Sequence, residues 1–101
     1  MLASKKERVV MDLASNVSIP DEVMTRKVGD ELVILDLASG MYFGLDAIGT
    51  RIWQLVEAGN PLAEVCDVMT SEYDVTRDQM QQDLANLVAE LHARGLVHRV
   101  T

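Results

Sequence analysis

The sequence predicts an α+β domain of winged helix-turn-helix type, a three-stranded antiparallel sheet followed by three helices. Three observations carry this. Residues 22–45 fall into short apolar runs broken by glycine-containing turns, the pattern of a strand meander. From Asp46 the apolar spacing changes from period two to the helical period. Gly59 and Gly95 then stop helical stretches, as glycine does just past a C-terminus.

Taken in order, residues 1–16 mix Lys5, Lys6 and Arg8 with Val9, Val10, Met11 and Leu13 and are expected to form a flexible tail. Pro20 opens the ordered domain, taken as residues 17–101. Val23–Val28 is the first strand, and Gly29-Asp30 is a hairpin turn signal. The apolar run Leu32–Leu37 is the central strand. Ala38-Ser39-Gly40 supplies the second turn, and Met41–Leu45 is the third strand. In a meander this strand pairs only with the second, so its outer edge is open.

Asp46 is the expected N-cap of the first helix, whose apolar face carries Ile48, Ile52, Leu55 and Val56. Asn60-Pro61 starts the second helix as cap and first-turn proline, with Leu62, Val65, Cys66 and Met69 inward. Thr76 with Gln79 fits a capping box for the third helix, and Val75 with Met80 fits the accompanying staple. Met80, Leu84, Leu87, Val88 and Leu91 form its apolar stripe. Leu96–Val100 is a short extended tail able to pack as a further strand.

Bulk composition excludes several functions. The 101 residues form one domain with 49% hydrophobic and 25% charged content. A net charge of −7 opposes binding to nucleic acid, which needs clustered Lys and Arg. A winged-helix DNA-binding regulator is the alternative the architecture permits. Its third helix, however, sets Arg77 and Arg94 against Asp78, Asp83 and Glu90. The single cysteine allows no internal disulfide. No signal-length or membrane-length apolar run occurs, so a cytoplasmic protein without membrane contact is expected.

Catalytic constellations are missing. His92 and His98 lack ligand spacing to Cys66 or to a carboxylate pair, so neither a metal nor another cofactor is expected. Cys66 lies on an apolar helix face and reads as a buried structural thiol, not a nucleophile. Gly40, Gly44 and Gly49 do not have the spacing of a phosphate-binding loop. The scattered carboxylates are solvated faces, except that Asp83 flanks the third-helix stripe and can reach a groove beside the sheet. The strand Met41–Leu45 is the remaining candidate. An extended peptide can join an open sheet edge through main-chain hydrogen bonds, with side-chain pockets adding selectivity. Part of this strand must be core, because alternate residues face opposite sides of the sheet.

Residues 17–100 resemble the PqqD-like family of precursor peptide recognition elements. The resemblance rests on Ile19-Pro20, Glu31-Leu32-Val33-Ile34-Leu35-Asp36, Gly40-Met41-Tyr42-Phe43-Gly44-Leu45, Gly49-Thr50-Arg51-Ile52-Trp53, Asp83 and Leu91 through Gly95-Leu96-Val97. The chain looks most like the stand-alone members of lasso-peptide clusters, which show a similar Tyr-Phe-Gly-Leu-Asp and Gly-Thr-Arg-Ile-Trp. It departs from the PqqD of pyrroloquinoline quinone synthesis at Ala38-Ser39-Gly40, where that branch carries Pro-Glu-Gly. A peptide chaperone in that or another pathway is the alternative within the family.

The resemblance implies a protein that is not an enzyme. It binds the leader segment of a ribosomally made precursor as an added antiparallel strand, on the third strand and against the third helix. It then delivers the precursor to a modifying enzyme or leader peptidase. The implied contacts are Met41, Tyr42, Phe43, Gly44 and Leu45 on the strand and Met80, Asp83, Leu84 and Leu87 on the helix. Arg51 and Trp53 match the pattern and are expected to serve the fold. The open strand edge permits either a monomer or a homodimer.

Overall fold

The computed structural model describes residues 16–100. The elements are β1 (Asn16–Ser18), β2 (Val23–Val28), β3 (Glu31–Asp36), β4 (Tyr42–Leu45), α1 (Ala47–Glu57), α2 (Leu62–Glu72), α3 (Arg77–Ala93) and β5 (His98–Val100). The expected meander is present as an antiparallel sheet of order β2-β3-β4, followed by the three helices. The sequence reading missed β1, which pairs antiparallel with β5 in a second, two-stranded sheet. Asn16, assigned to the tail, pairs with Val100, whereas the tail expected over residues 1–15 lies outside the described residues.

The turns follow their residues. Gly29 has φ +65° and Asp30 does not have positive φ, so Gly29-Asp30 is the two-residue loop of a type II′ hairpin. The β3–β4 turn is pinned by Asp36. Its carboxylate accepts from the Ala38 N–H at 3.1 Å and the Ser39 hydroxyl at 2.9 Å, while Gly40 takes φ +77°.

Asp46 caps α1 as expected, with its carboxylate accepting from the Gly49 N–H at 2.8 Å. Asn60 does not cap α2. Its side-chain amide donates to the Leu55 carbonyl at 2.9 Å, closing α1, and Pro61 takes the cap position without a side-chain acceptor. In α3 the Gln79 N–H donates to Thr76 Oγ1 at 3.1 Å, but the Gln79 amide turns forward to Asp83 at 2.8 Å. Half of the expected capping box therefore forms. Val75 packs beside the core that holds Met80, as the staple requires.

One face of the large sheet is covered. Leu32, Ile34 and Leu45 bury against α1, while α2 packs on α3 through Val65, Cys66, Met69, Leu84 and Val88. Leu96 and Val97 seal the base before β5. Trp53 is 2% exposed and anchors α1, although its Nε1–H has no acceptor among the described residues. Ile48 departs from its expected place on the core face of α1. It is 43% exposed, in the first turn of α1.

Candidate functional site

β4 is an edge strand. The Asp36 N–H donates to the Met41 carbonyl at 2.9 Å, which fixes the phase of the β3–β4 ladder. Bonded pairs recur at every second position, so Ile34↔Phe43 and Leu32↔Leu45 carry the ladder. The main-chain N–H and C=O of Tyr42 and Gly44 then point outward, with no strand paired to them among the described residues.

Beside that edge lies a cleft of about 350 Å³ between β4, α1 and α3. Phe43, Gly44 and Leu45 form its strand wall, Ile48, Gly49 and Ile52 its floor on α1, and Asp83 and Leu87 its far wall on α3. Asp46 stands at the corner between strand and helix. The lining is apolar except for the two carboxylates. Gly49 is needed for closeness: an added Cβ would lie 3.1 Å from Leu45 Cδ2 and 3.3 Å from the Asp46 carboxylate. At Gly44 an added Cβ would meet nothing within 4 Å, so internal packing does not explain that glycine.

The nine sequence-predicted contact residues divide into three groups. Phe43, Gly44, Leu45, Asp83 and Leu87 come together in the cleft. Met80 and Leu84 are 2% and 0% exposed, so they support the α3 wall from behind instead of lining it. Met41 and Tyr42 are exposed and do not line the cleft. Tyr42 projects from the opposite face of the sheet, where it borders a separate apolar depression of about 570 Å³ with Met24, Val33 and Leu35. The cause is strand alternation, which sends neighbours Tyr42 and Phe43 to opposite faces.

Sequence reasoning missed the α1 contributors Asp46, Ile48, Gly49 and Ile52. Their signal was present, because a helix that begins one residue after an edge strand must sit at that strand's end. It also missed Arg94, whose guanidinium lies over the Phe43 ring at 4.9 Å from its centroid. The other α3 cation, Arg77, is paired with Asp67, so neither arginine is a bare charge facing solvent.

Burial pushes the Cys66 thiol above its ordinary value, away from the thiolate a nucleophile needs. Among the described residues no three His, Cys, Asp or Glu side chains gather as metal ligands. No helix there is long and apolar enough to cross a membrane.

Residues 31–97 match the family of coenzyme PQQ synthesis protein D (PqqD). The chain belongs to the PqqD family. The match spans β3 to Val97 and so includes both walls and the floor of the cleft. Among solved structures, TbiB1 in complex with the TbiA(beta) leader peptide shares 40% identity with a TM-score of 0.77, over 79% of this chain and 93% of that one. A lasso peptide synthetase B1 complexed with the leader peptide shares 30% identity with a TM-score of 0.75, over 81% of this chain and 96% of that one. No curated protein matches the chain. The PqqD-family fold thus carries the open edge and the cleft on adjoining elements.

Proposed function

We propose that this PqqD-family domain binds the leader segment of a ribosomally synthesised precursor peptide in lasso peptide biosynthesis. The leader adds as an antiparallel strand to β4, with alternate side chains entering the cleft against α3. The domain does no chemistry itself. In the cytoplasm it hands the bound precursor to a leader peptidase or another modifying enzyme. Phe43, Gly44, Leu45, Asp83 and Leu87 make the principal contacts. Tyr42 and Met41 flank the added strand, and Met80 and Leu84 hold the helix wall in place.

The observation that carries this reading is the adjacency of an unpaired strand edge and an apolar cleft. Its support from relatives is that two proteins of the same fold, 40% and 30% identical, are structures with leader peptides bound. Fluorescence polarisation with the labelled leader of the precursor encoded beside this gene tests it. A Kd in the micromolar range, about −8 kcal/mol, is expected for a short added strand with two or three apolar anchors. Absence of any binding by the wild-type chain overturns the proposal. The family match itself favours one second reading, a peptide chaperone of quinone biosynthesis. Tighter binding of a quinone-pathway precursor than of the lasso leader would select it.

A further inference from the structure

Charges of both signs stand beside β4. Asp46 and Asp83 both line the cleft. Asp46 accepts from the Gly49 N–H and Asp83 from the Gln79 amide, and neither has a cationic partner among the described residues. Arg94 covers the ring of Phe43, a residue of the strand wall. Arg94 also meets Glu90 at 3.3 Å, through one guanidinium nitrogen and across an exposed pair. Pairs of that kind are weak, and most of the guanidinium donors remain for a ligand.

Chain direction orders these charges. Along β4, Phe43 precedes Leu45, and Asp46 follows it directly. The positive group therefore stands by Phe43 near the start of β4 and the negative group Asp46 at its end. An antiparallel added strand begins beside Leu45 and ends beside Phe43. Its N-terminal part passes Asp46, its C-terminal part passes Arg94, and Asp83 adds negative charge to the same cleft.

Resting on the proposed leader-binding role, we infer that the cleft selects a leader with a particular charge pattern. The ligand is an extended peptide with a lysine or arginine at its N-terminal side and an aspartate or glutamate at its C-terminal side. Apolar side chains lie between the two.

The test is polarisation binding at low salt, using the leader encoded beside this gene and a sign-exchanged copy. In the copy every Lys or Arg becomes Glu and every Asp or Glu becomes Lys. Asp83→Lys and Arg94→Glu are each expected to weaken the natural leader about five- to twentyfold. The losses shrink in about 0.5 M salt, where exposed charges are screened, whereas a loss from damaged packing persists. The double variant is expected to prefer the sign-exchanged leader. If the wild type binds the leader and both single variants bind within twofold of it, the charge pattern is wrong and the site stands. If the wild type does not bind at all, the site and the pattern fall together.

Discussion

Asp83 and Val88 lie on the same helix, yet the structure gives them opposite tasks. Asp83 is exposed at the cleft wall and bonds only to Gln79, while Val88 is 1% exposed within the stripe against α2. Asp83→Ala is expected to weaken leader binding about two- to fivefold, since exposed charge contacts are small, and to leave the melting temperature unchanged. Val88→Asp buries an unpaired charge and is expected to cost about 4 kcal/mol or more, a large share of the stability of a domain this size. Thermal melts beside binding curves check both. Equal destabilisation by the two changes would make Asp83 structural. The two positions, buried and exposed, were legible from helical spacing, because Val88 is central to the stripe and Asp83 is at its margin. Arg94 was not legible, because its contact with Phe43 joins residues far apart in sequence.

At the scale of elements, the decisive object is β4. Its ladder phase leaves the N–H and C=O of Tyr42 and Gly44 outward. If the leader adds as a strand, its own amides alternate between facing β4 and facing away. Scanning the leader with single N-methyl residues should therefore lower affinity at every second position and leave the intervening positions nearly unchanged. A flat scan would mean that side chains alone hold the peptide. The meander and its open edge were readable from the turn residues Gly29, Asp30 and Gly40. The β1–β5 sheet was not, because three-residue strands from the two ends of the domain carry too little periodicity to announce their pairing.

Across the whole molecule, Arg51 ties the cleft floor to the helical layer. Its guanidinium meets the Glu72 carboxylate through two bonds of 2.9 and 2.7 Å, joining α1 to the last turn of α2. The hydrogen bond from Arg51 holds the Glu72 carboxyl below its ordinary range. A carboxyl depressed in the folded state stabilises fully above its unfolded pKa, and that contribution is lost as pH falls through the folded value. Glu72→Gln should therefore melt slightly below wild type at neutral pH, with the gap closing as pH falls below the carboxylate range. Melts from neutral to acid pH check this. A gap that widens on acidification would show that the pair does not stabilise the fold.

The sequence by itself determined the order of the three meander strands and the three helices, the caps at Asp46 and Thr76 and the buried stripe of α3. These are local properties, set by side-chain period, backbone freedom and the hydrogen bonds a residue can make to its near neighbours. It also pointed to five of the residues that meet in the cleft. Only the tertiary structure decided that Tyr42 faces away, that Met80 and Leu84 lie behind the wall, and that Ile48 and Ile52 floor the site. It also set Arg94 on Phe43, opposite in sign to Asp46 and Asp83. A cleft arises from three elements packed at particular angles, and the exposure of a side chain there depends on which neighbours cover it. Sequence periodicity names the face a residue occupies but not what lies across from it.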